Sequence, residues 1–98
     1  MESPLAQEND PQLLKIASQC YCNLAAVLFD ENVDDALRSS DLSIKYNSKW
    51  AKPFYRRALC FEKRREWKPA YRDLKIAVAF EPTDITILQT LNRLETNL

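Results

Sequence analysis

Apolar residues along this 98-residue chain recur every three or four positions and nowhere alternate with period two, so the pattern predicts helices and no strands. The first stripe runs through Leu13, Ile16 or Ala17, Cys20, Leu24, Val27 and Leu28, and Asp30-Glu31-Asn32 interrupts it. Asn32 is a good N-cap for a second helix, and Asp34 and Asp35 in its first turn suit the positive helix end. That helix carries Val33, Ala36, Leu37, Ser40 and Ile44 up to a break at Tyr46-Asn47-Ser48. A third is expected from Trp50 or Ala51, where Pro53 is tolerated because a first-turn residue needs no N–H. Phe54, Ala58, Leu59 and Phe61 give it two apolar sides, and Arg65-Glu66 marks a short turn. Trp67, Ala70, Tyr71, Leu74, Ala77 and Val78 define a fourth helix, ended by Glu81-Pro82-Thr83. Ile85, Leu88, Leu91, Leu94 and Leu98 define a fifth. Residues 1–12, polar and acidic with Pro4 and Pro11, are expected to form a disordered lead-in to a helical domain over 13–98.

The composition narrows the function classes. The chain has no glycine, which argues against tight β-hairpins and against Gly-rich phosphate loops. Nor has it a histidine, the commonest general base and metal ligand. Asp34, Asp35 and Asp41 would lie on one exposed helix with no base or metal spacing near them, so no catalytic residue, metal site or cofactor is expected and the chain is read as not an enzyme. Net charge is zero, yet Lys49 to Lys75 holds ten basic and three acidic residues, a local +7 against −7 elsewhere. Phe54, Phe61 and Trp67 fit packing better than base stacking, so no nucleic-acid partner is expected. No apolar run approaches the roughly 20 residues that span a bilayer, and no targeting segment opens the chain. Three cysteines, Cys20, Cys22 and Cys60, fit reduced thiols in a cytoplasmic protein. Cys20 and Cys22 point in different directions on a helix, and both are expected to be small buried thiols.

The helices also repeat. Leu24-Ala25 aligns with Arg57-Ala58 at an offset of 33, and beyond the turn Ala36, Ser40 and Ser43 align with Ala70, Leu74 and Ala77 at 34. Two helices packed closely need small residues where their backbones cross, and such hairpins bury their faces only by stacking. The unit Ala51–Asp84 resembles a tetratricopeptide repeat over its full length, with Ala58, Phe61, Ala70, Leu74, Ala77 and Pro82 at that family's signature positions. The unit Ser18–Trp50 is a poorer match, with Ser48 in place of the proline, and Ala25 and Ala58 replace the family's common glycine. The resemblance implies an all-α helical-hairpin solenoid of two repeats, 18–50 and 51–84, with a capping helix over 84–98.

In that fold the first helix of each hairpin lines a concave groove. Lys52-Pro53-Phe54-Tyr55-Arg56-Arg57-Ala58 and Cys20-Tyr21-Cys22-Asn23-Leu24-Ala25-Ala26 resemble the last two repeats of the chaperone-binding subclass, which includes the large immunophilins and other co-chaperones. The resemblance implies a carboxylate clamp made by Asn23, Lys52 and Arg56, holding an acidic Glu-Glu-Val-Asp tail of a cytosolic heat-shock chaperone. Lys52 and Arg56, at i and i+4, project from one helical face, and an ammonium, a guanidinium fork and an amide suit a peptide's carboxylates. Arg57 is expected to pack or pair between repeats. The subclass draws further clamp residues from an earlier hairpin, for which the 17 residues before the matching region are too few. The expected alternatives are a longer parent protein, a second copy supplying the missing surface through an uncovered N-terminal face, or a vestigial clamp on a structural scaffold.

Overall fold

The computed structural model describes residues 10–98, and the expected lead-in over residues 1–9 lies outside them. Five helices follow in order: α1 Pro11–Leu28, α2 Val33–Tyr46, α3 Ala51–Lys63, α4 Trp67–Phe80 and α5 Ile85–Glu95, with no strand among the described residues. The fold is all-α and built from helical hairpins, as in tetratricopeptide solenoids. α1 packs on α2 and α3 on α4; α2 lies against α3, and α5 closes the far end against α4.

Local chemistry fixes the helix starts. Asp10, Asn32 and Asp84 cap α1, α2 and α5 by accepting the backbone N–H groups of Gln12, Asp35 and Ile87. α3 and α4 have no side-chain cap. Each instead carries a proline at its third position, Pro53 and Pro69, which removes one of the unpaired first-turn donors. The onset of α1 corrects the expected boundary: Asp10-Pro11 is a cap followed by a first-position proline, so Pro11 and Gln12 belong to the helix.

α3 ends in a Schellman motif, with the Glu66 N–H donating to the Phe61 carbonyl at 2.8 Å and the Arg65 N–H to that of Glu62 at 2.9 Å. This geometry places Arg65 at φ 60°, the left-handed region in which a Cβ is unfavourable and glycine is the usual occupant. The glycine-free sequence puts the conformation on an exposed arginine.

The repeat offsets describe the packing. Ala25 and Ala58 are buried as a pair, as are Ala36 and Ala70, Ser40 and Leu74, and Ser43 and Ala77. The core gathers on the second hairpin, where Phe54, Ala58, Ala70, Leu74 and Ala77 meet Ile87 and Leu94 of α5, with Phe61 and Trp67 packed around them. The corresponding space in the first hairpin is partly polar. Ser18 Oγ and Ser43 Oγ each donate to the other's backbone carbonyl at 2.7 Å, and the Trp50 indole N–H donates to Ser18 Oγ at 3.0 Å. Burying hydroxyls is tolerable only with such partners.

Arg57 ties the hairpins together. Its guanidinium makes a two-pronged pair with Asp73 of α4, at 2.8 and 2.9 Å, and reaches Asp41 of α2 at 3.0 Å. That is pairing both within and between repeats, in keeping with the place of Arg57 in the sequence. Lys63 adds a second tie, donating to the carbonyls of Phe29 and Asp30 just beyond α1, and Arg93 of α5 clasps Glu62 of α3.

The apolar stripe of α1 forms the uncovered face expected at the N-terminal side: Leu13, Ile16, Cys20, Leu24 and Val27 are exposed, Val27 at 75%, and the buried side is Ser18, Cys22 and Ala25. The two sides lie roughly opposite on the helix, and only small residues suit the close crossing with α2. Two expectations, about Cys20 and about α5, need correction. Cys20 is an exposed thiol, whereas Cys22 and Cys60 are buried. On α5 the buried line is Ile87, Thr90 and Leu94 rather than Ile85, Leu88, Leu91, Leu94 and Leu98; Ile85, Leu88 and Leu98 are exposed.

Candidate functional site

The first helices of the two hairpins, α1 and α3, touch, and the N-terminal half of α3 borders a surface groove that α5 closes on one side. A pocket of about 480 Å³ is lined by Lys52, Tyr55 and Arg56 from α3, by Trp50 at its N-cap, and by Glu81 and Asp84 from the turn before α5. Lys52 and Arg56 thus face the same cavity, one helical turn apart. Lys52 is exposed and Arg56 half-buried. Among the described residues neither cation lies within ion-pair distance of a carboxylate. The Arg56 Nε is shielded from solvent without a hydrogen-bond partner among the described residues. An unpaired donor in such a place is costly, by about 1–3 kcal/mol, and the Cys22 thiol beside the guanidinium is only a weak acceptor.

α1 lies next to these cations. Cys22, buried on α1, lies close enough to Arg56 and Lys52 to feel their charges: burial pushes its thiol above the ordinary value, and the two cations pull against that shift. Asn23 follows on the same helix and is exposed. It is not a lining residue of the Lys52–Arg56 pocket. It stands instead in line with Lys15 and Gln19, at i, i+4 and i+8 along one side of α1. The structure therefore brings Lys52 and Arg56 into one cavity and leaves Asn23 outside it, exposed on α1.

Two features of the pocket have no counterpart in the sequence pattern. Glu81 and Asp84 line the same cavity as the cations, a proximity that depends on how α5 folds back and has no signal in local spacing. Trp50, which the pattern marks only as a helix start, borders two adjacent cavities. Its tether to Ser18, 32 residues away, holds the indole at the junction of α1 and α3.

Chemically the groove offers directional donors for an acceptor-rich ligand. A guanidinium fork and an ammonium can hold carboxylates, while the ring of Tyr55 and the indole of Trp50 supply apolar surface. No protein-family profile and no solved structure matches the chain. Among curated proteins it is similar to the DnaJ homolog subfamily C member 7 homolog of Schizosaccharomyces pombe, with 30% identity over 94 residues. That alignment takes in 95% of this chain but only 20% of the yeast protein, so the chain spans about a fifth of that relative's length.

Proposed function

We propose that this chain is a protein-interaction module of co-chaperone type, without catalytic activity. It binds the acidic C-terminal tail, of Glu-Glu-Val-Asp class, of a cytosolic heat-shock chaperone, with Asn23, Lys52 and Arg56 as a partial carboxylate clamp. The observation that carries the reading is the pairing of Lys52 and Arg56 in one cavity, both without an acidic partner in the described chain and one with a buried unsatisfied donor. Similarity to a DnaJ homologue supports a chaperone-associated role, and the helical-hairpin architecture supports peptide capture in a groove. Its repeat boundaries would be 18–50 and 51–84, followed by the cap over 84–98, in a cytoplasmic protein.

The test is fluorescence anisotropy with a labelled peptide ending in Glu-Glu-Val-Asp, titrated with the wild type and with Lys52→Ala/Arg56→Ala. Removing a charge-assisted hydrogen bond from a partly desolvated groove costs about 1.5 kcal/mol or more, so the double variant should bind at least tenfold more weakly. Equal binding by both proteins, or none by either, overturns the proposal.

A second reading, a scaffold that self-associates, draws on the exposed stripe of α1. Leu13, Ile16, Cys20, Leu24 and Val27 fall within about 80° of one another around the helix, and contiguous exposed apolar surface of that kind favours association. Its measurable consequence is a mass that rises with concentration.

A further inference from the structure

A second cavity, of about 400 Å³, lies on the other side of Trp50 and is lined by Lys15 and Gln19 of α1 and by Asn47, Lys49 and Trp50 of the α2–α3 connection. It contains two ammonium groups and two amides and no carboxylate. Among the described residues neither Lys15 nor Lys49 forms an ion pair. The connection is organised rather than loose: the Asn47 carboxamide oxygen accepts the Lys49 backbone N–H at 3.1 Å, which leaves the Asn47 NH₂ available to a ligand. Trp50, held to Ser18, is the shared wall between this cavity and the one occupied by Lys52 and Arg56.

The two cavities differ in charge, and the difference gives the groove a direction. The Lys52–Arg56 cavity is also lined by Glu81 and Asp84, which repel an acidic chain running against them. Across Trp50 the charge is positive alone. An extended acidic peptide with its terminal carboxylate at Lys52 and Arg56 therefore leaves over the indole toward α1. Lys49 and Lys52 are three positions apart at a helix start, and two or three residues of extended peptide, at about 3.3 Å each, cover that separation.

We propose that Lys15 and Lys49, with Gln19 and Asn47, form a second anion-binding subsite that takes the glutamate side chain two residues before the peptide's C-terminus, which alternation in an extended chain puts on the same face as the terminal aspartate, with Trp50 as the partition between the subsites. This deepens the clamp reading and rests on it. That glutamate sets the preference among peptides that share a terminal aspartate, while Lys52 and Arg56 hold the terminus.

The experiment compares two labelled peptides, one ending Glu-Glu-Val-Asp and one ending Gln-Gln-Val-Asp, by anisotropy at low salt against the full chain and against Lys15→Gln/Lys49→Gln. Exposed ion pairs of this kind are individually weak, so the wild type should prefer the glutamate peptide by about fivefold, with the preference fading in high salt. The variant should lose that preference and bind the glutamine peptide as the wild type does, which also reports an intact fold. A variant that keeps the preference, or that weakens both peptides alike, overturns the subsite and leaves the clamp standing. A wild type that binds neither peptide overturns the clamp, and the subsite with it.

Discussion

The most informative perturbation for the fold is the removal of Asp73, because Arg57 holds two carboxylates of very different exposure. Asp73 accepts two guanidinium bonds at 2.8 and 2.9 Å and its side chain is 5% exposed; Asp41 accepts one at 3.0 Å and is 54% exposed. In Asp73→Ala two charge-assisted bonds vanish, nominally about 1.5–3 kcal/mol each. Arg57 itself is 25% exposed and keeps Asp41, so part of that loss returns through water and the remaining pair. The net cost is then about 2–4 kcal/mol, below or at the low end of the range for stranding a fully buried charge. In Asp41→Ala an exposed partner leaves and water replaces it, at about 0.2–1 kcal/mol. For a domain of this size each kcal/mol moves the thermal midpoint by about 4–8 °C, so circular-dichroism melts should separate the two variants by roughly 10 °C or more. Equal shifts, or a loss under about 1 kcal/mol in Asp73→Ala, would refute the view that the bonds between Arg57 and Asp73 clamp α3 onto α4.

Two further outcomes follow from local geometry. Arg65→Gly removes the Cβ from a left-handed residue in a Schellman motif and should raise stability by about 1 kcal/mol in chemical denaturation, whereas the same change at exposed Arg72, inside α4, should lower it by a similar amount. Under the self-association reading, sedimentation of the wild type should show mass rising with concentration, and Val27→Glu should abolish that rise without lowering the melting temperature, since Val27 lies outside the core.

Much of the architecture was legible because the repeat constrains residue size. A closely crossed hairpin admits only small side chains at its crossing points, and Ala25, Ala36, Ala58, Ala70 and Ala77 announce those points at a fixed offset. Pairing of Arg57 between repeats was legible for a related reason: it follows Arg56 by one position, so it must leave the helix on another side. The bare face of α1 was legible from the absence of an earlier hairpin to cover it, but its buried side was not. Periodicity identifies an apolar stripe but not what covers it, and here the stripe faces outward while Ser18, Cys22 and Ala25 take the core. A serine-rich crossing gives no hydrophobic signal, and its hydroxyls are satisfied only by long-range partners, Ser43 and Trp50, that no local window contains. The same limit applies to the groove. The i, i+4 spacing predicts that Lys52 and Arg56 share a face, whereas the acidic wall of Glu81 and Asp84, and the second basic cavity beyond Trp50, depend on where α5 and α1 pack.

The central claim is that a peptide's terminal carboxylates enter the cavity between α3 and α5. An NMR titration of the ¹⁵N-labelled chain with a Glu-Glu-Val-Asp peptide addresses it residue by residue. The largest shifts are expected at the Trp50 indole, the Lys52 amide and the Arg56 side chain, with smaller ones at Asn23 and none on the outer faces of α2 and α4. Shifts centred on the Leu13–Val27 stripe instead, or spread evenly over the chain, would contradict it.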